Sequence, residues 1–176
     1  MVVTIHNADT SQYEAIGKMM VLVYSQLDGF PGEKEQPAYY QMLANVGDLT
    51  AKPGVELLVA MSDTAELLGA VVYFDDMQYY GSGGTATQER DAAGFRLLAV
   101  HPQAQGNGVG KLLTSTCIEK ARTRGVGQVI IHTTNAMRTA WTMYTGMGFK
   151  RSPDLDFVQG GLQVYGFRLI LLERRG

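Results

Sequence analysis

The sequence predicts one α/β (α+β) domain built on a mixed sheet. Three observations predict it. Segments with strand and helix patterning alternate along the chain in the order β-α-α-β-β-β-α-β-α-β. The composition is ordinary for a globular protein, with 45% hydrophobic and 18% charged residues. Closely spaced glycines join one strand-like segment directly to a helix-like one. A chain of 176 residues can bury a full core without staples. A single domain over residues 1–176 is therefore expected.

Residues 2–7 read as a short strand. Asp9, Thr10 and Ser11 supply helix N-cap chemistry, and Tyr13, Ile16, Met19, Met20 and Val23 recur at helical spacing, so a helix is expected over 11–27. Gly29, Pro31 and Gly32 break it. Tyr39, Met42, Leu43 and Val46 predict a shorter helix ending near Gly47. Two apolar runs, 55–61 and 67–74, flank Ser62-Asp63-Thr64 and read as an antiparallel hairpin. Residues 75–93 form a polar, Gly-rich loop carrying Tyr79 and Tyr80, and a loop of that length is expected to be functional or disordered. A strand follows over 95–100. The next helix, 109–124, sets Val109, Leu112, Leu113, Thr116, Cys117 and Ala121 on one face and ends at Gly125. Residues 128–132 are a β-branched strand. Met137, Ala140, Trp141, Tyr144 and Met147 share one face of a helix over 137–147. A last strand, 162–172, comes after the 153–161 loop.

Several function classes are disfavoured at once. A net charge of -2 argues against a broad basic face for nucleic acid. Cys117 is the only cysteine, so no intramolecular disulfide can form, and it is read as a core residue. His6, His101 and His132 are too scattered for a zinc site. The N-terminus lacks the pattern of a signal peptide, and the 67–74 run is far short of the ~20 residues that span a bilayer. A soluble, cytoplasmic protein with no metal, nucleic-acid or membrane partner is expected.

The most informative segment runs from Leu97 to Leu113, where a strand enters a glycine-rich turn and the turn opens a helix. Free N–H groups and the positive dipole end make such a helix start suited to phosphate, and glycines let the backbone approach it. The Walker A pattern fails, because Leu112 stands where a hydroxyl must hold magnesium and Gln105 stands where the first glycine belongs. The dinucleotide pattern fails too, because Lys111 or Leu113 occupies its third glycine position. What remains is Gln105-x-x-Gly108-x-Gly110 after Val100-His101-Pro102.

That pattern resembles the pyrophosphate-binding motif of the GCN5-related N-acetyltransferase (GNAT) family, whose members use acetyl-CoA. Tyr144, three residues, then Gly148-Phe149 resembles a second feature of the family. The strong likeness covers residues 95–150. It implies a mixed, mostly antiparallel central sheet flanked by helices. It also implies a splay between the strand before the glycine turn and the next strand. Acetyl-CoA as cosubstrate would be held by Gln105, Gly106, Asn107, Gly108, Val109, Gly110 and Lys111. Its pantetheine arm would run along Leu98, Ala99 and Val100, and an N–H near Leu98 or Val100 would face the thioester carbonyl. Tyr144 would act as general acid toward the departing thiolate. By spacing alone Tyr144 reads rather as a core residue, and only the resemblance reverses that.

The chain departs from the family at two places. Met137 stands where an Asn often touches the carrier, although Asn135 is placed to cap the helix. A strand carboxylate often used as general base is missing, with Gly94 and Arg96 in that region. Asp75, Asp76, Glu89, Asp91 and His132 remain candidates, as does a water chain. The acceptor is expected to be a small-molecule or peptide amine. Loops 28–37 and 75–91 carry acidic residues beside tyrosines, a weak hint of a cationic amine. A homodimer through the last strand is compatible with the resemblance. The alternative reading is a non-catalytic acyl-CoA-binding or sensing module with the same fold.

Overall fold

The structure is a computed structural model, and it describes residues 2–171. In chain order the elements are β1 (Val3–Asn7), α1 (Tyr13–Ser25), α2 (Pro37–Ala44), β2 (Val55–Ser62), β3 (Leu67–Phe74), β4 (Ala92–Val100), α3 (Val109–Arg124), β5 (Gln128–Thr133), α4 (Arg138–Gly146), β6 (Lys150–Arg151), β7 (Phe157–Gln159) and β8 (Leu162–Ile170). The long elements follow the expected order. Two short strands were not expected: β7 lies within the 153–161 stretch read as loop and β6 just before it, and both pair with β8. The expected end of the last strand, Leu172, lies outside the described residues. Among the described residues no helix is long and apolar enough to cross a membrane.

The sheet runs β1-β2-β3-β4-β5-β8-β6. Every neighbouring pair is antiparallel except β4 with β5. The sheet is thus mixed, mostly antiparallel and flanked by helices, as predicted. Its two faces are covered by different helices. Leu57, Val59, Ala70, Val72 and Phe74 pack with Ile16, Met19 and Met20 of α1 and Leu43 of α2. Leu58, Ala60, Val71 and Tyr73 pack with Leu113, Cys117 and Ala121 of α3 and Tyr144 of α4. Burial on both faces is why β2 and β3 read as unbroken apolar runs rather than alternating ones.

Two irregularities of β4 position the site. Its ladder with β5 is only three rungs long, from Ala92↔Gln128 to Gly94↔Ile130. Beyond Gly94 the strands part, which is the expected splay. At that last rung a Cβ on Gly94 would stand 2.7 Å from the Ile130 carbonyl oxygen, so no side chain fits there. On its other side β4 bulges. Leu97 and Leu98 together oppose the single residue Val71, and Leu97 takes φ +60. A non-glycine residue held there costs about 1–3 kcal/mol, and such strain persists only where the surroundings enforce it.

Candidate active site

A cleft of about 610 Å³ opens where β4 and β5 part, within the usual size range of small-molecule sites. Its walls are Phe95–Leu98 and Val100 on one side and 132–134 on the other. One end reaches the glycine turn, with Gln105, Gly106, Gly108, Val109, Gly110 and Lys111 on its surface. Gly108 is the N-cap of α3 and adopts φ +77, and Gly106 adopts φ +83. A Cβ at either would meet nothing within 4 Å. These glycines are required by backbone conformation, and the space above them is open to a ligand. The first intrahelical bond from this end is Leu112 N–H to Gly108 C=O. The N–H groups of Val109, Gly110 and Lys111 lie ahead of it in the first turn. A phosphate therefore fits the cradle.

Most of the expected carrier residues meet in this cleft. Ala99 and Asn107 do not line it. Ala99 is buried against the α1 side of the sheet. Asn107 holds the turn together through Nδ2, which donates to the carbonyls of Ala104 and Gln105 at 3.1 and 3.4 Å. Gln105 Nε2 donates to the Val100 carbonyl at 3.4 Å, tying the turn to the strand end.

Tyr144 lies across the cleft on α4 and is only 4% exposed. Its ring meets Phe95 at 5.8 Å and Phe149 at 5.7 Å between centroids. Its hydroxyl makes no hydrogen bond among the described residues, yet no buried side-chain polar atom there lacks a partner. The hydroxyl therefore reaches the accessible surface of the cleft. Burial pushes its pKa well up, so the phenol keeps its proton through the neutral range. The ring serves the core while the hydroxyl faces the site. Trp141 packs edge-on against Tyr165 and Phe167 and is not on the cleft wall.

Of the expected candidates for a base, only His132 is on the cleft wall. His132 donates Nε2–H to the Leu155 carbonyl at 2.8 Å and accepts the Tyr80 hydroxyl at Nδ1, 3.0 Å away. Both nitrogens are occupied, and burial holds the imidazole below its usual pKa. Asp75 pairs with Arg124, and Glu89 pairs with Arg168. Asp76 accepts the Gln78 N–H at 2.9 Å. Among the described residues no Asp or Glu lines the cleft. Of the loop acids, Asp75, Asp76 and Glu89 thus turn to other partners. The loop aromatics do reach the cleft, as Phe30 and Tyr39. Asn135 does not cap α4. Met137 is the N-cap, and Asn135 Nδ2 points to the Tyr165 hydroxyl.

Sequence reading missed two cleft residues. Tyr24, near the end of α1, donates its hydroxyl to the Leu98 carbonyl at 3.0 Å and so props the bulge from the acceptor side. Arg96 lies just before the bulge and enters the same space.

A family model described as "Acetyltransferase (GNAT) domain" matches residues 53–171. The chain belongs to the GNAT family. N-acetyltransferase 8B of Mus musculus is 40% identical over 58 residues, covering 33% of this chain and 25% of that protein. The GNAT chain spans between 21% and 35% of the length of the curated relatives it first matches. Among solved structures, a GNAT acetyltransferase from Staphylococcus aureus Mu50 superposes with TM-score 0.73 at 13% identity, covering 97% of this chain and 100% of that one. The paia N-acetyltransferase of Thermoplasma acidophilum, in complex with coenzyme A, gives TM-score 0.71 at 13% identity over 94% and 98% of the two chains. At such identities the likeness is one of fold, and it extends over nearly the whole GNAT chain.

Proposed function

We propose that this chain transfers the acetyl group of acetyl-CoA to a primary amine by direct attack in a ternary complex, without a metal. The observation that carries the reading is one continuous cleft. It runs from the Gly108 cradle, through the gap between β4 and β5, to the Tyr144 hydroxyl. The coenzyme A bound by the Thermoplasma acidophilum protein of the same fold supports the choice of carrier.

Each group then has a task. Backbone N–H groups at the start of α3 hold the pyrophosphate, with the Lys111 and Arg138 side chains at the rim. The spare backbone N–H of the Leu97–Leu98 bulge stabilises the oxyanion that forms when the amine nitrogen attacks the thioester carbon. One such donor is typically worth about 3–4 kcal/mol of barrier. As the C–S bond breaks, Tyr144 gives its proton to the sulfur and regains one from solvent. The attacking nitrogen of the neutral amine gives one proton to water and keeps the other as the amide N–H. With no carboxylate at hand, the Arg96 charge favours the neutral, nucleophilic amine over its ammonium form.

The absence of a carboxylate from the cleft wall is the observation that favours the second reading, a module that binds acyl-CoA without turnover. Release of free CoA in the presence of amines, followed with a thiol reagent, separates the two. Binding is tested on its own. Calorimetric titration with acetyl-CoA in excess EDTA should give a micromolar Kd, about -8 kcal/mol. Abolition of binding by the chelator would sink the metal-free cradle.

A further inference from the structure

Arg96 is a cation without a counter-ion. Its Nη1 donates to the Tyr80 carbonyl at 3.0 Å, and its guanidinium lies 5.7 Å from the Tyr80 ring centroid. Among the described residues it makes no other hydrogen bond and no ion pair. Four of the guanidinium's five donors are therefore open. The other charged side chains of the cleft wall, Lys111 and Arg138, are also cations.

The surroundings locate its charge. Burial pushes the phenols of Tyr24, Tyr39 and Tyr80 up, and the Arg96 charge pulls each part of the way back. The cation lies against Tyr80 and lines the cleft together with Tyr24, Phe30 and Tyr39. Tyr24 and Phe30 stand edge to face at 5.6 Å, and Phe30 and Tyr39 lie 5.7 Å apart. A half-buried, unpaired guanidinium beside such walls is costly unless a ligand supplies the anion.

We propose that Arg96 is the anchor for a carboxylate carried by the acceptor itself, so that the acceptor is a free amino acid with an apolar side chain. This rests on the acetyl-transfer reading and names its substrate class. Arg96 directly precedes the Leu97–Leu98 bulge in β4, and both line the cleft. A carboxylate taken up by the Arg96 guanidinium is therefore held in the same cleft as a nitrogen attacking at the bulge, as an acceptor carrying both groups requires. The apolar side chain would lie against Tyr24, Phe30 and Tyr39. A diamine or a lysine-rich peptide would bring a second cation against Arg96 and find no carboxylate to receive it.

Three probes test this: L-phenylalanine, 2-phenylethylamine, which keeps the ring and amine without the carboxylate, and 1,5-diaminopentane. Free-CoA release should favour L-phenylalanine over 2-phenylethylamine by about 10- to 100-fold in kcat/KM, the span of a charge-assisted hydrogen-bond pair. The diamine should be slowest. In Arg96→Gln the ratio between the first two probes should fall to within about threefold. Arg96→Lys, which keeps the charge but loses the planar fork, should give an intermediate ratio and covers the case in which Arg96→Gln does not fold. Preference of the wild type for either carboxylate-free probe overturns the proposal. So does an unchanged ratio in the variants. Transfer to none of the three while acetyl-CoA still binds strikes the turnover reading instead, and the anchor then stands or falls on whether L-phenylalanine binds and 2-phenylethylamine does not. Failure of acetyl-CoA to bind at all strikes the carrier reading instead and is seen by calorimetry. In that event direct binding of L-phenylalanine but not 2-phenylethylamine still supports the Arg96 anchor, and equal binding overturns it.

Discussion

Gly108→Asp is expected to weaken acetyl-CoA binding by about tenfold or more, about 1.4 kcal/mol, in a protein that stays folded. Gly108 sits at φ +77 with no atom within 4 Å of an added Cβ, so the new side chain enters the cleft and not the core. The left-handed conformation costs most L-residues about 1–2 kcal/mol, and Asp and Asn visit it most readily. Both are also favoured N-caps, by a few tenths of a kcal/mol over glycine, and Gly108 is the N-cap of α3. The new cap offsets only part of the strain, so Tm should fall, by no more than about 4 °C. The ligand loses on two counts. The Asp carboxylate takes the N–H groups meant for phosphate, and it repels the pyrophosphate. Gly108→Asn has the same shape without the charge. It should bind acetyl-CoA better than the Asp variant, and the gap between the two should narrow in high salt. An unchanged Kd in a folded Gly108→Asp protein would place the phosphate site elsewhere.

What the sequence shows well is local. The hairpin of β2 and β3 is legible because burial on both faces leaves unbroken apolar runs, and the glycine turn is legible because its chemistry lies within a few consecutive residues. The start of β4 is not. Ala92, Ala93 and Gly94 have little strand propensity, and only their pairing with β5 makes them strand. Nothing in Leu97-Leu98 announces a bulge, since Leu rarely accepts φ +60 unless tertiary contacts impose it. The buried face of α3 was also displaced from the expected one. Leu112 is 38% exposed and Thr116 half-buried, while Thr114 and Ile118 are buried instead. Thr114 can be buried because its hydroxyl donates to the Gly110 carbonyl at 2.8 Å. The charges illustrate the same limit. Asp75 and Glu89 meet Arg124 and Arg168, partners 49 and 79 residues away in the chain. Arg96 gains meaning only from having no such partner, which no local pattern reveals. His132 looked like a candidate base in one dimension, and in three its two nitrogens are already bonded.

Tyr144→Phe should separate carrier binding from chemistry. The ring would keep its contacts with Phe95 and Phe149, and the hydroxyl makes no protein hydrogen bond among the described residues, so none is lost. Tm should stay within about 3 °C of the parent. Affinity for acetyl-CoA should change by less than about 1 kcal/mol, the scale of one neutral hydrogen bond. The loss should fall on kcat. General acid catalysis contributes about 10²–10⁴-fold, and CoA thiolate is already a fair leaving group, so the low end of that range is expected. The sign of the pH dependence follows from the phenol. Burial raises its pKa, so Tyr144 keeps its proton from about pH 6 to about pH 9, and its own titration does not limit the parent protein there. A thiolate needs no proton in water above about pH 8.5, so the advantage of the parent over the variant should narrow as pH rises through that value. Equal kcat for parent and variant from about pH 6 to about pH 9 would leave Tyr144 as a packing residue and assign the proton to solvent.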